Sequence, residues 1–384
     1  MTNPSTKLRT FGKRKVVFVG LSGGVDSSVS AALLKKAGFE VSGVFIKVWQ
    51  PDFWGGCSLK EDRLDAMRVC AKLRIPFYTL DLEKEYKEEV VDYMVAEYKA
   101  GRTPNPDVMC NKYVKFGGFF DWAMRQGADF VATGHYARIA IGQQKWLLAG
   151  KDKNKDQSYF LWTLTQKQLA RTLFPVGDLE KPQVRRLAKK FGLETAEKKD
   201  SQGLCFIGKI EMTDFLKHFI KTKPGSVLNE KGEIIGIHQG VELYTLGQRH
   251  GFEITKKTNK EERYFIVSKD LKKNTLMVSH NPKPSVAFSK SDKATLGFGK
   301  EIKLKEVNWI LGVKPDLKKE YSARIRYRQP LEKCHLQCQG STLTVRFKKA
   351  QKAPTPGQSV VIYDACPDSL SGRGDICLCG GIIE

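Results

Sequence analysis

Residues 16–38 constrain the fold more than any other stretch. The run Val16-Val17-Phe18-Val19-Gly20 is short and continuously apolar, as in a strand covered on both faces. It passes through Leu21-Ser22-Gly23-Gly24-Val25-Asp26-Ser27 into SVSAALLKKAG, whose pattern predicts a helix stopped at Gly38. The alternation then repeats. Strands are predicted over 41–49, 77–82 and 129–133, and helices over 59–73, 83–100, 181–192 and 211–221. Strands alternating with helices of this length imply a parallel sheet with helices on both faces. The fold class is therefore α/β at the N-terminus, over residues 1–215.

After Pro224-Gly225 the texture changes. Short runs at 234–238, 241–246, 263–268 and 275–279, separated by Gly, Asn and Lys turns, suggest a small β-rich linking domain over 216–284. From 285 to 384 the pattern is all strand (303–311, 321–328, 333–338, 342–348, 358–363 and 375–383), which suits a small sandwich or barrel. In the segment Ser322–Arg328, alternation would put Arg324, Arg326 and Arg328 on one face, either as a phosphate track or as a solvated charged edge.

Charge narrows the partners. The chain has 384 residues, with 65 Lys+Arg against 42 Asp+Glu, a formal net charge of +23. A surface this basic gathers polyanions, with nucleic acid the default candidate. No run approaches the ~18 apolar residues of a membrane span. Nine cysteines and no secretory signal point to thiols in a reducing, cytoplasmic compartment. The first 15 residues hold five basic and no acidic side chains, and read as a frayed N-terminus.

The glycine loop at 22–27 carries chemistry. Two glycines let the backbone approach an anion, and the helix N-terminus offers unpaired N–H groups. Ser22 and Ser27 add hydroxyl donors. Asp26 repels phosphate unless a divalent cation lies between them, which argues for a nucleotide with Mg²⁺. The lysine of the G-x-x-x-x-G-K-[ST] loop is missing.

Two cysteines also sit in loops. Gly101-Arg102-Thr103-Pro104-Asn105-Pro106-Asp107-Val108-Met109-Cys110-Asn111-Lys112 is stiffened by two prolines, with Lys112 and Lys115 as candidate cations to favour a thiolate. Cys205 lies in Asp200-Ser201-Gln202-Gly203-Leu204-Cys205-Phe206-Ile207-Gly208. Cys334-x3-Cys338 with His335, and Cys377-x-Cys379, lack the short-knuckle spacing of zinc sites, and no tightly bound metal is expected. Alternation would set Cys377 and Cys379 on one face of a strand, as packing residues.

SGGVDSS resembles the pyrophosphatase (PP) loop of the superfamily that splits ATP between its α and β phosphates and adenylates a carbonyl oxygen. With AEYKAGRTPNPDVMCNK, FVATGHYAR, NKDQSYFLWTL, LFPVGDLEKPQVR, KKDSQGLCFIG, YTLGQRHG, ARIRYRQP and TPGQSVVIY, the chain resembles the bacterial-type tRNA-specific 2-thiouridylase family over nearly its whole length. It departs from the family in its tail, CLCGGIIE, where Cys379 replaces a usual glycine, and in a short insert at 369–374.

The resemblance implies a PP-loop domain, a small linking domain and a C-terminal β-barrel. It implies ATP with Mg²⁺, tRNA as partner, a persulfide sulfur-relay donor protein, no membrane and a monomer. Gly20, Leu21, Ser22, Gly23, Gly24, Val25, Asp26 and Ser27 would hold the phosphates, with Ile46 and Gly134 at the adenosine. Cys205 would carry sulfur as a persulfide. Cys110 would attack or resolve, leaving a Cys110–Cys205 disulfide, and Asp107 would handle protons. Asn105, Pro106 and Asp107 would meet a target base drawn from its stack. His135, Lys155, Asp156, Gln157, Arg326, Tyr327 and Gln358 match tRNA-contact positions. Two readings compete with this one: an adenylating PP-loop ligase acting on a small molecule, and a non-catalytic RNA-binding or sulfur-carrier protein. A variant of the first reading holds an iron–sulfur cluster on Cys110, Cys205 and a further ligand.

Overall fold

In chain order the strands of the first half are β1 (Val16–Gly20), β2 (Glu40–Lys47), β3 (Phe77–Asp81), β4 (Phe130–Ala132), the hairpin β5 (Ala137–Ile141) and β6 (Lys145–Ala149), and β7 (Thr172–Leu173). They belong to a computed structural model that describes residues 14–53, 58–200, 211–256, 263–281, 298–340, 342–365 and 374–384. The N-terminal tail, Cys57, Cys205 and Cys366 lie outside the described residues.

Five of these strands make one parallel sheet in the order β3-β2-β1-β4-β7. The middle of β1 is fully covered, which is why its sequence is a continuous apolar run. Helix α1 (Val25–Lys36) packs small side chains, including Ser27, Ser28, Ser30, Ala31 and Ala32, into the interior. The chain leaves β1 toward β2 on one side, while β4 lies on the other. The loops after β1 and β4 therefore flank a topological switch point, where open α/β sheets bind ligands.

The linking unit is a five-stranded sheet of β8 (Gly225–Leu228), β9 (Ile234–His238), β10 (Glu253–Ile254), β11 (Phe265–Asp270) and β12 (Thr275–Ser279), ordered β10-β9-β8-β12-β11. Residues 241–246, expected as a strand, instead begin with a 3₁₀ turn, Val241–Leu243, that buries Val241 and Leu243.

The C-terminal strands are β13 (Phe298–Trp309), β14 (Tyr321–Arg324), β15 (Glu332–Gln339), β16 (Thr342–Lys352), β17 (Ser359–Asp364) and β18 (Ile376–Ile383). They run β13-β16-β15-β14-β17-β18, and β18 pairs back onto β13, closing an antiparallel six-stranded barrel. Closure removes exposed sheet edges. The start of β18 also pairs with β6, through Ile376↔Leu148 and Cys377↔Leu147. A hairpin from the first half of the chain thus extends the barrel's sheet, a link that local patterns did not suggest.

Three local expectations change. The helix over 83–100 contains a π-helical segment, Lys87–Asp92. Cys377 and Cys379 do not share a face: the pairing with β17 shifts register between Ile362 and Tyr363, so Cys377 packs beside Tyr363 in the large core and Cys379 packs in the barrel core. The third change concerns the arginines. Strand β14 stops at Arg324, so Arg324, Arg326 and Arg328 form no single track. Arg324 is buried and paired with buried Asp156, and its guanidinium also donates to the Tyr363 and Ser158 hydroxyls. A charge sealed from water needs such partners, so this arginine joins the barrel to the β6-side loop.

Replacing Arg324 by Met leaves the Asp156 carboxylate buried without its partner. The expected loss of stability is roughly 3–5 kcal/mol. The double variant Arg324→Met/Asp156→Leu should recover most of it, read from thermal unfolding midpoints.

Candidate nucleotide and cysteine-loop site

The loop after β1 is shaped by contacts that only glycine permits. Gly23 has φ +72°, and a Cβ there would lie 2.8 Å from the Asp62 Cα. Gly24 is the N-cap of α1 and supplies no side-chain cap, so the first amides of the helix are left facing the loop for an anion. The Ser27 hydroxyl accepts from the Ser22 amide at 3.3 Å and donates to the Gly24 carbonyl at 3.1 Å, closing the turn. The Leu21 amide donates to the Val44 carbonyl at 2.8 Å, which ties the loop to β2, where Ile46 is buried.

Asp26 has partners that the sequence reading missed. The Tyr136 hydroxyl donates to it at 2.7 Å, and Lys181 Nζ lies 2.8 Å from each carboxylate oxygen. Lys181 also pairs with Asp200 at 2.8 Å, and Asp200 is further paired with Lys155 at 2.5 Å and Arg185 at 2.9 Å. Burial alone would raise the Asp200 carboxyl, but Lys155 and Lys181 outweigh it and hold the group at about 2. Lys181 thus supplies a counter-charge for Asp26, where the sequence argument had invoked only a divalent cation. The LFPVGDLEKPQVR stretch contains Lys181, yet nothing local marks its long-range partner.

The loop after β4 closes the same crevice. A Cβ on Gly134 would stand 2.6 Å from the Ser27 amide nitrogen, so the two loops touch through glycine. His135 is buried, its Nδ1 2.8 Å from the Thr133 hydroxyl and its ring packed beside those of Phe116 and Phe174. Burial, with Lys115 adding to it, pushes its pKa well below the ordinary value, so the ring is neutral at pH 7.

The cysteine loop is held from three sides. Asn105 caps the short helix Pro106–Met109 by accepting from the Val108 amide, with Pro106 in the first turn and Asp107 beside it. Cys110 is fully buried, and Lys112 turns its ammonium over the Tyr113 ring at 4.6 Å. The barrel reaches the loop through Gln358, whose Nε2 donates to the Thr103 and Pro104 carbonyls at 3.0 and 2.8 Å, and through the Pro356 carbonyl, which accepts from the Thr103 amide at 2.9 Å. The linking unit reaches it through the Thr103–Thr245 hydroxyl pair at 3.0 Å.

Among the other expected residues, Asp156 and Gln157 follow β6, and Arg326 and Tyr327 follow β14. Asp156 is buried against Arg324, and the Gln157 Oε1 accepts from the Tyr136 amide at 3.0 Å. Arg326 donates to the Ala353 carbonyl at 2.8 Å, and Tyr327 is half-buried. Among the described residues no group of three or more His, Cys, Asp or Glu side chains is placed to hold a metal ion, and no helix is long and apolar enough to cross a membrane.

Sheet order, switch point and anion loop define an α/β phosphate-binding protein with a linking β unit and a closed barrel appended. Three family models match in series: the tRNA methyl transferase HUP domain over residues 15–209, the tRNA methyl transferase PRC-barrel domain over 213–280, and the aminomethyltransferase β-barrel domain over 299–383. The tRNA-specific 2-thiouridylase MnmA of Pseudomonas fluorescens is 44% identical over 97% of this chain and 95% of its own length. That of Halalkalibacterium halodurans is 46% identical over 96% of this chain and 94% of its own length. The chain belongs to the tRNA-specific 2-thiouridylase family. A solved 4-thiouridine synthetase–RNA complex with bound ATP aligns over 53% of this chain and 50% of its own, at 17% identity and a TM-score of 0.32, too low to carry an inference.

Two outcomes follow from this geometry. Gly134→Ala forces a methyl group onto the Ser27 amide, and ATP affinity should fall at least about tenfold, or about 1.4 kcal/mol, by calorimetric titration. The second concerns pH. Burial lowers the pKa of both His135 and His238 in the folded chain. Below the unfolded value of about 6.5 the unfolded chain binds more protons, so stability is complete above that pH and declines as pH falls below it. The thermal midpoint should drop between pH 7.5 and 5.5, and His135→Gln should flatten that slope.

Proposed function

We propose that this chain catalyses ATP-dependent 2-thiolation of the wobble uridine of tRNA, as a tRNA-uridine 2-sulfurtransferase. The observation that carries the reading is the similarity to named tRNA-specific 2-thiouridylases at 44% and 46% identity over 97% and 96% of the chain. The +23 net charge suits a polyanionic substrate.

The chemistry gives each part of the site a task. The C2 carbonyl of uridine is urea-like and a poor electrophile. Adenylating its oxygen with ATP, with release of pyrophosphate, turns that oxygen into a good leaving group, AMP. The loop Gly20–Ser27 and the α1 N-terminus fit the triphosphate, with Lys181 as an added cation beside them. Ile46 and Gly134 border the adenosine in this reading. Asp26 suits a Mg²⁺ held mainly by phosphate oxygens and water, an ion that would offset charge on the phosphates.

Sulfur arrives on Cys205 as a persulfide, from a relay donor protein. Its terminal sulfur bonds to C2 as AMP departs with the former C2 oxygen. Cys110, as thiolate, then attacks the inner sulfur of Cys205, forming a Cys110–Cys205 disulfide and releasing the thiocarbonyl base. Asp107 takes the proton from Cys110. External thiols reduce the disulfide for the next turnover. The enzyme works as a cytoplasmic monomer.

The test is incubation with ATP, a persulfide source and tRNA bearing an unmodified wobble uridine, followed by mass spectrometry of the nucleosides. Thiouridine should form with the native chain and fall at least about 100-fold in Cys110→Ser and in Cys205→Ser, about 2.7 kcal/mol of barrier. No thiouridine from the native chain, or full activity in either variant, contradicts the proposal.

A further inference from the structure

Both asparagines of the cysteine loop reach the same short segment. Asn111, the residue after Cys110, donates from Nδ2 to the Phe160 carbonyl at 3.2 Å. The Asn105 side chain lies close to the Tyr159 phenol. Tyr159 is itself fully buried, with its hydroxyl donating to the Ile325 and Ser359 carbonyls of the barrel side. Phe160 is half-buried, packed against the large core with its ring centre 5.3 Å from that of Tyr159 in an edge-to-face contact.

Opposite it lies Tyr327, also half-buried, with ring centroids 4.6 Å apart and planes at 47°. The chain departs from ordinary geometry to present it. Strand β14 ends at Arg324, and Arg328 adopts φ +63°, a left-handed conformation costly for a residue with a Cβ. Arg328 is fixed there by donating from Nε to the Asn154 carbonyl at 3.0 Å, and its guanidinium lies 5.0 Å from the Tyr327 ring centre. Two aromatic rings and a cation at a half-open surface are the parts from which proteins build stacking platforms for unpaired bases. Beside the platform, Asn111 Oδ1 is buried and has no hydrogen-bond partner among the described residues. An acceptor left in that state calls for a donor, and the N3–H of uracil is one.

We infer that Phe160 and Tyr327 form a platform on which the extruded target uridine stacks beside Cys110, making Phe160 a base-binding residue. The inference deepens the proposed thiolation and rests on it for the identity of the base. Basic side chains would hold the RNA backbone whatever its sequence, and the platform would hold the base itself.

The experiment uses the full-length chain and a stem-loop RNA carrying a fluorescent uridine analogue at the wobble position. Binding to the native chain should change the analogue's emission as the base stacks. Phe160→Leu should bind about 10- to 100-fold more weakly and lose the emission change, with an unchanged thermal midpoint, while Phe160→Trp keeps both signals. The inference is overturned if Phe160→Leu keeps the emission change and binds within twofold of the native chain. It is equally overturned if Phe160→Leu lowers the midpoint and Phe160→Trp restores the fold without restoring the signal. Should the native chain stack the analogue yet make no thiouridine from tRNA, the functional proposal fails and the platform stands. If the native chain binds no RNA, both fail.

Discussion

A loop with two prolines cannot complete its own hydrogen bonding. Pro104 and Pro106 have no N–H, so the carbonyls around them need donors from elsewhere in the chain. The barrel supplies them through one amide, the Gln358 Nε2, which is shared by Thr103 and Pro104. Gly357 is part of the same contact, since a Cβ there would stand 2.9 Å from the Thr103 carbonyl oxygen. The position of Cys110 therefore depends on a domain more than 240 residues further along the chain, and that domain is in turn anchored by the Arg324–Asp156 pair. A chain built this way has its reactive loop at a junction, and its three units have to be assembled before the loop takes shape.

The phosphate loop follows a similar logic in charge. Asp26 sits in the first turn of α1, where the helix dipole already favours an anion. Lys181 balances it in a network where Lys155 and Arg185 also hold Asp200. Because Asp200 keeps two cations of its own, Lys181 can turn toward an arriving phosphate without leaving a bare carboxylate on the Asp200 side. Asp26 keeps the Tyr136 hydroxyl as a partner.

What could be read from the sequence was what is encoded locally. The apolar run of β1, the glycine turn and the helix beyond it lie within about one supersecondary unit, so their order was legible. The change of texture after Pro224 likewise announced the β-rich second half. Pairings between distant residues left no local trace. Lys181 and Asp26 are 155 positions apart, and Arg324 and Asp156 are 168 apart. The alternating arginines of 324–328 looked like one strand face because pattern alone does not reveal where a strand stops. The β-bulge that separates Cys377 from Cys379 was hidden for a related reason: it arises from pairing with β17, not from the residues of β18. Of the expected site residues, Gly134 and Asp26 lie on two loops that meet at Ser27, and Asn105 caps the turn that leads into Cys110. Cys205 lies outside the described residues.

The dependence of the cysteine loop on the barrel is tested most directly by amide hydrogen exchange in Gln358→Ala, followed by mass spectrometry. If the Gln358 side chain sets the loop, peptides spanning residues 101–112 should exchange at least about tenfold faster than in the native chain, while β1 and α1 keep their protection. Unchanged exchange across 101–112 would contradict that dependence and make the loop's shape a property of the N-terminal unit alone.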